Sequence, residues 1–577
     1  FRVGYGGKER MYRDITLGER VVFDTYSHWA AQDDKLFGLP NRKLKTLAKH
    51  FAPDEEWVLG DPLYAHMREL VNTEELKRYI LSDMRATSLM YDIYHPVFAS
   101  VVDVLEEVWG EGVVTLKQIA ENTKGFLGMH VCRTICERTG ISFEGSNEDR
   151  WGEVVKKKQA AITNTFIPNV LYKDPVHLDF SSMYPSIVMT FNISPETTRI
   201  IGFEELGEFS ARHDLMLGET IYAIPDEKLN KNVIVAVSSK EGELPKLFKF
   251  LYDKRNEIKV EMKKYKYGSP EYIELDTIQS AIKMIMNSVT GYMGEIHAKY
   301  ADLAQYILIV GLGRELFRSL VAFIEHRSFA SLMADYDCVN AKRHPKFDGT
   351  LSPFRYVIEG DTDGIYLNTP PDLEIINRFL ADHVMNDMRG RDNYMKLGVD
   401  HYDGIYCPNY KGKNYVLAKD GKLRFKGVAF KSSRLPPIFK DARDQFARAK
   451  LLGEGDPKEL YRLWRTFISG TDKLEPFVMN MEVRTSESYT NNCLPKQIAE
   501  QAKERYQMTI TDSQSFSYVK LKGSYWIVTA EDTMKDIPGQ VDRDYYLKAI
   551  DDIVARLGME NEVLETTQAS LLTGWSI

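Results

Sequence analysis

Two aspartates at the tip of one bend constrain this chain more than any other stretch. Val357–Leu367 reads VIEGDTDGIYL, with Val357 and Ile358 leading in and Ile365, Tyr366 and Leu367 leading out of Gly360-Asp361-Thr362-Asp363-Gly364. β-Branched and aromatic flanks around a glycine-bounded turn predict a β-hairpin. Its bend projects the carboxylates of Asp361 and Asp363 together. Aspartates also populate turns for local hydrogen-bonding reasons. A short acidic motif alone therefore fits an Asx-type turn as well as it fits a metal site.

Two further stretches separate these readings. His177–Ser186 reads HLDFSSMYPS, an apolar strand ending at Asp179 and a turn closed by Tyr184-Pro185-Ser186. Gln279–Gly294 reads QSAIKMIMNSVTGYMG, a helix on which Lys283 and Asn287 stand one turn apart on one face. In this order the three stretches resemble motifs A, B and C of family B DNA polymerases, whose patterns are DxxSLYPS, KxxxNSxYG and GDTDS. The resemblance implies a DNA-templated DNA polymerase that adds deoxynucleotides (dNTPs) to a primer 3′-hydroxyl. The fold class it implies is α/β multidomain in a right-hand arrangement. An antiparallel palm sheet, helical-hairpin fingers, a mainly helical thumb and a partial RNase H-like exonuclease domain make up that arrangement. One rival is a catalytically inactive polymerase-like DNA-binding scaffold. Another is a reverse transcriptase, whose hairpin carries adjacent aspartates that Val357–Leu367 lacks.

A chain of 577 residues is long enough for several domains, each with its own core. The longest apolar run, Tyr306–Val310, is far shorter than the ~20 residues a membrane span needs, and no secretory signal opens the chain. The five cysteines, Cys132, Cys136, Cys338, Cys407 and Cys493, have no paired spacing that fits a zinc site and read as reduced intracellular thiols. A net charge of −8 argues against indiscriminate polyanion binding, yet nucleic-acid binding depends on local basic surface. An intracellular location is expected: cytoplasm or nucleoid, or the host cell interior for a viral protein. The chain opens on Phe1 rather than Met, so a trimmed or partial sequence is expected.

By resemblance, residues 1–95 form the C-terminal part of a 3′–5′ exonuclease-like domain. Glu19–Tyr26 reads as a strand, and Arg42–Phe51 and Glu74–Tyr94 as helices. Tyr79 and Asp83, at i and i+4, look like the YxxxD exonuclease motif. No Asp-x-Glu strand precedes them, and Asp54-Glu55-Glu56 reads as an acidic surface loop. Residues 96–170 form a helical connector, with Leu116–Thr123 and Gly128–Glu137 as helices and a basic run at Lys156-Lys157-Lys158. The palm takes 171–242, the fingers 243–289, the palm again 290–426 and the thumb 427–577.

From Glu243 the pattern is helical to Lys264, breaks at Tyr267-Gly268-Ser269-Pro270 and resumes to Asn287. In an antiparallel pair, Arg255 and Lys283 come level within one turn of roughly 5.4 Å, with Lys259 one turn from Arg255. Arg255, Lys259, Lys283 and Asn287 thus suit a triphosphate. Ala301–Arg327 is a long apolar-faced helix, and Ser328–Arg355 reads as a polar surface insertion. Lys411–Tyr415 resembles the KxY motif, whose Lys413 and Tyr415 would hold the primer terminus. Lys426-Gly427 resembles the KG strand, with Ser432-Ser433 where an arginine pair is usual. Helices such as Pro457–Ile468 and Leu494–Arg505 suit a thumb, closed by Asp542–Tyr546.

The chemistry implied is in-line phosphoryl transfer assisted by two Mg²⁺ ions. Asp179 and Asp363 are the expected metal carboxylates, with the Phe180 carbonyl as a further ligand and Asp361 as an outer carboxylate. The N–H groups of Ser182 and Met183 are expected on the triphosphate and the Tyr184 ring beneath the sugar. Three positions depart from the motifs. Glu359 replaces a common tyrosine and is expected to add charge near the metals. Gly364 replaces serine. Thr290 stands where the pattern has a tyrosine under the nascent base pair. Partners implied are primer–template DNA, dNTPs and a processivity factor or other replication proteins, with no membrane.

Overall fold

In a computed structural model of the chain, the residues described are 2–5, 8–11, 44–58, 74–109, 124–140, 160–208, 215–227, 229–267, 269–294, 302–339, 352–384, 392–409, 412–427, 437–484, 489, 491, 493–506, 510, 514–529 and 532–563. Glu19–Tyr26, Leu116–Thr123, Lys156–Lys158 and Ser432-Ser433 lie outside them. No described helix is long and apolar enough to cross a membrane.

The N-terminal part comprises a hairpin, β1 (Arg2–Tyr5) with β2 (Lys8–Met11), and helices α1 (Leu44–Phe51), α2 (Glu74–Trp109) and α3 (Lys124–Thr139). Helix α2 continues past His95-Pro96, where the sequence places a domain boundary.

Next come β3 (Thr163–Thr165), β4 (Leu171–Lys173), β5 (Val176–Phe180), α4 (Met183–Phe191), β6 (Thr198–Glu205), β7 (Glu219–Asp226) and β8 (Lys231–Ser238). Two long helices follow, α5 (Glu243–Met262) and α6 (Pro270–Met293). The Ser269 side chain caps α6 by accepting the Tyr272 N–H, and Pro270 occupies its first turn, where its missing N–H costs nothing. Helix α7 (Leu303–Glu325) is capped by Asp302 and ended by His326 in the left-handed region.

Ser328–Arg355 was expected on the surface, but α8 (Phe329–Val339) corrects this for its first part. Leu332 and Tyr336 are one helical turn apart and buried, while Ser331 and Asp335 face outward. The Tyr336 ring packs on Phe166 and Phe354, and its hydroxyl donates to the Thr165 carbonyl at 2.6 Å. A polar average concealed a helix with one apolar face.

The predicted hairpin is β9 (Val357–Asp361) with β10 (Gly364–Leu367). Its turn is tighter than Gly360–Gly364, because Thr362 takes a positive φ of 64° and the Asp363 N–H donates to the Asp361 carbonyl at 2.6 Å. After α9 (Leu373–Val384) come β11 (Leu397–His401), β12 (Gly404–Tyr406), β13 (Tyr415–Lys419) and β14 (Lys422–Lys426). The C-terminal part holds α10 (Pro437–Leu452), α11 (Pro457–Gly470), β15 (Met479–Val483), α12 (Leu494–Tyr506), β16 (Gln514–Leu521), β17 (Ser524–Ile527) and α13 (Arg543–Arg556). Its three-stranded sheet β15-β16-β17 is an addition to the expected helices.

Every pairing among the described strands is antiparallel. The central sheet runs β11-β5-β10-β9-β3, and a second runs β14-β13-β12-β4. One large core joins the central sheet to α4–α7, and a separate core fills the C-terminal part. A small cluster of Ile358, Tyr366, Ile405, Cys407, Tyr415 and Leu417 seals the seam between the two sheets. That seam positions the candidate site.

Candidate active site

Strand register brings the two principal aspartates together. Gly364 on β10 pairs with Asp179 on β5, so Asp363 sits at the adjoining end, and the Phe180 N–H donates to the Asp363 carbonyl at 2.9 Å. Burial, and then the charge of Asp363, pushes the Asp179 carboxyl up to about 7, with Lys283 opposing the shift. Asp363 is likewise raised, by burial and then by Asp361. Gly364 has a steric cause here. A Cβ on it would run into the His177 imidazole and lie 2.8 Å from the Leu178 carbonyl oxygen. That imidazole stacks on Tyr366 with ring centroids 4.2 Å apart, and burial holds it down to about 4, hence neutral.

Asp361 has a different environment. Its Oδ1 lies 2.9 Å from the Lys413 ammonium, and its Oδ2 accepts the Tyr415 hydroxyl at 3.1 Å. The Lys413 ammonium also donates to the Thr362 hydroxyl at 3.1 Å. The two residues expected on the primer terminus are thus engaged with the Asp361–Asp363 hairpin. Lys426 pairs with Tyr415 across β13 and β14, and Gly427 follows with φ 82°. Glu359 does not face the aspartates as a free charge. It is fully buried, accepts the Lys413 backbone N–H at 2.7 Å and the Thr165 hydroxyl, and is pushed up to about 8 by burial. At neutral pH it is mostly uncharged.

The helical hairpin brings its cations close. Burial lowers the Lys259 ammonium, and the charges of Arg255 and Lys283 lower it further. Lys283 and Asn287 lie on an exposed face of α6 and Lys259 on an exposed part of α5. Arg255 differs from the expected open cation, for its guanidinium is buried. It donates to Gln279 Oε1 at 3.0 Å and to the Ser182 hydroxyl at 3.1 Å. Ser182 itself is left-handed, with φ 53°, and leads directly into Met183, the first residue of α4. The Tyr184 hydroxyl is raised by burial, by Tyr306 and by Asp363, so the charge of Asp363 reaches it. Thr290 falls on the same stripe of α6 as Lys283 and Asn287 but is buried, and its enclosed Oγ1 finds no hydrogen-bond partner among the described residues. Helix packing covers that end of the stripe.

The sequence profile described as DNA polymerase family B matches residues 166–560, well over half of the chain. The chain belongs to DNA polymerase family B. It is 24% identical over 432 residues to DNA polymerase 2 of Aeropyrum pernix, covering 71% of this chain and 46% of that protein. It is also 24% identical to the DNA polymerase of Thermococcus sp. (strain 9oN-7), covering 96% of this chain and 65% of that one. The chain thus spans between about half and two thirds of the length of these relatives. The solved family B DNA polymerase of Pyrobaculum calidifontis has the same fold, with a TM-score of 0.57 at 20% identity over 94% of this chain and 64% of that chain.

Tyr79 and Asp83, the pair expected to form a YxxxD motif, share a contact with one lysine in the N-terminal part of this family B chain. The Lys45 ammonium, itself buried, lies 3.1 Å from Asp83 Oδ1, donates to the Ser82 hydroxyl, and sits 5.4 Å from the centre of the Tyr79 ring. Glu56, in the acidic loop, pairs with Arg78 at 3.3 Å.

Three residues around the polymerase motifs escaped the sequence reading. Gln279 precedes Lys283 by one turn on α6, so helical periodicity marks it. Thr165 faces Glu359 only through the pairing of β3 with β9. The buried Glu325, at the end of α7, accepts the N–H groups of Arg355, Tyr356 and Val357 at 2.9, 2.8 and 2.7 Å, and so anchors the entry to β9. Nothing in the sequence near Thr165 or Glu325 signals those contacts.

Proposed function

We propose that this chain is the polymerase part of a DNA-templated DNA polymerase that extends a primer 3′-hydroxyl with dNTPs. The central sheet serves as palm, α5 with α6 as fingers and the C-terminal part as thumb, and primer–template DNA is the partner. The observation that carries this is the strand register that sets Asp179 beside the Asp363 turn, with Lys283 close enough to act on the Asp179 charge.

The donor set fits hard divalent cations such as Mg²⁺. The Asp179 carboxyl is raised by burial and by Asp363, and the Asp363 carboxyl by desolvation and by Asp361, so a cation beside them would relieve the crowded charge, and the Phe180 carbonyl is a further oxygen donor. Two such ions, when bound, neutralise charge on the reacting phosphate and favour ionisation of the 3′-hydroxyl. Lys283, Lys259 and Asn287 grip the triphosphate from the open face of the helical hairpin. Arg255 acts one step back, orienting Ser182 and the α4 N-terminus. Tyr184 lies against the sugar and excludes a 2′-hydroxyl, which selects deoxynucleotides. Such an enzyme works wherever its DNA is, inside a cell.

Extension of a primer–template by the purified chain with Mg²⁺ and dNTPs tests this reading. Asp363→Asn is expected to lose at least about a thousandfold in rate, several kcal/mol of transition-state stabilisation, while still binding primer–template. No extension by the unaltered chain would favour the inactive-scaffold reading.

A further inference from the structure

We propose that Glu359 is a positioning residue that clamps the Lys413 turn to the catalytic hairpin and so sets where Lys413 meets the primer strand. The proposal rests on the polymerase reading for the primer contact, but the clamp itself stands on geometry. Glu359 and Asp361 are alternate residues of β9, so their side chains leave the same face. Glu359 Oε1 accepts the Lys413 backbone N–H at 2.7 Å, while Asp361 Oδ1 receives the Lys413 ammonium at 2.9 Å. One strand therefore holds one residue at both its backbone and its side-chain tip.

The turn needs such a hold. Lys413 has a φ of 61°, a conformation unfavourable for a long side chain unless its surroundings impose it. Gly412, just before it, presses on β3 so closely that a Cβ there would lie 2.5 Å from the Thr163 carbonyl carbon. β3 also supplies Thr165, directly opposite Glu359 in the sheet, whose hydroxyl fixes the second carboxyl oxygen. Glu359 thus ties β3, β9 and the Lys413 turn into one unit with both oxygens occupied. It is fully buried, so cutting the side chain back takes the protein acceptor from the Lys413 N–H and frees the turn.

The charge of the carboxylate is not required by this geometry. A glutamine offers its carbonyl oxygen to the Lys413 N–H and its amide to the Thr165 hydroxyl. Alanine offers neither. In steady-state primer extension, Glu359→Ala should raise the primer–template KM about tenfold and the dNTP KM less than twofold. Glu359→Gln should keep both within about twofold of the unaltered chain. Combining Glu359→Ala with Lys413→Ala should add nothing to Lys413→Ala alone, because the clamp acts through that residue.

In the free protein, hydrogen exchange at the Lys413 amide should accelerate at least tenfold in Glu359→Ala and not in Glu359→Gln. An unchanged primer–template KM, an equal rise in dNTP KM, equal damage by Gln and Ala, or unchanged amide exchange would each overturn the proposal. If Glu359→Ala does not fold, Thr165→Val, which removes one of the two bonds, carries the test. It should raise the primer–template KM two- to threefold, and no rise overturns the clamp. Protected exchange at Lys413 in a chain that extends no primer would sink the polymerase reading and leave the clamp standing.

Discussion

The Lys413 ammonium sits 2.9 Å from one oxygen of Asp361, and Tyr415 donates to the other at 3.1 Å. The motif expected on the primer is therefore docked on the Asp361–Asp363 hairpin. Asp361 thus has both carboxylate oxygens engaged by side chains of the strand β13 region.

Lys413→Ala should separate binding from stability. The lysine side chain is 51% exposed, so loss of the pair should cost less than about 1 kcal/mol of folding stability. Primer–template affinity should fall, and the slope of log affinity against log salt should shrink by about 1, the signature of one lost phosphate contact. Thermal melts and titrations at several salt concentrations check both. An unchanged salt slope would remove Lys413 from the DNA interface.

Arg255 and Lys283 should part company when each is replaced by alanine. Arg255 is buried with charged hydrogen bonds to Gln279 and Ser182, so its loss should cost about 2–3 kcal/mol of stability as well as raise the dNTP KM. Lys283 is exposed, so its loss should raise the dNTP KM with stability within about 0.5 kcal/mol. Melting curves and single-nucleotide kinetics compare them. Equal stability of the two variants would mean that the Arg255 bonds contribute nothing to folding.

Glu359 should leave a mark on the pH dependence of stability. Its carboxyl is raised from 4.5 to about 8 on folding, so the folded chain keeps a proton that the unfolded chain releases. The resulting stabilisation is complete below about pH 4.5 and is lost as pH rises through about 8. Asp179 and Asp363 shift in the same direction but are common to both proteins in a comparison of the unaltered chain with Glu359→Gln. Urea unfolding in chelator between about pH 5 and 8.5 should show the steeper decline in the unaltered chain. Identical slopes would mean that Glu359 is ionised when folded.

Thr290 is enclosed, so its substitutions should read out as packing. Thr290→Val removes a buried hydroxyl that has no hydrogen-bond partner among the described residues and should leave stability equal or higher by about 1 kcal/mol. Thr290→Tyr forces a ring into a filled site and should cost about 1–3 kcal/mol. Thermal midpoints of the two variants decide. A tyrosine variant as stable as the unaltered chain would show that this end of α6 opens to admit a ring.

The sequence by itself marked the candidate groups and the local elements that carry them. Asp179, Lys283 and the Asp361–Asp363 hairpin were legible because each belongs to a local pattern: a strand end, a helix stripe, a glycine-bounded bend. The helical hairpin was legible for the same reason, since Ser269 and Pro270 mark a helix start whatever surrounds them. Only the tertiary structure decided which of those groups are open and which are engaged. The bonds from Lys413 to Glu359 and Asp361, from Arg255 to Ser182, and from Lys45 to Asp83 join residues far apart in the chain. No spacing rule encodes them. Burial divides likewise: Asn287 and Thr290 share one helix stripe, yet packing leaves the first exposed and covers the second. Periodicity orients a side chain around its own helix axis, whereas what stands opposite it depends on how distant segments pack.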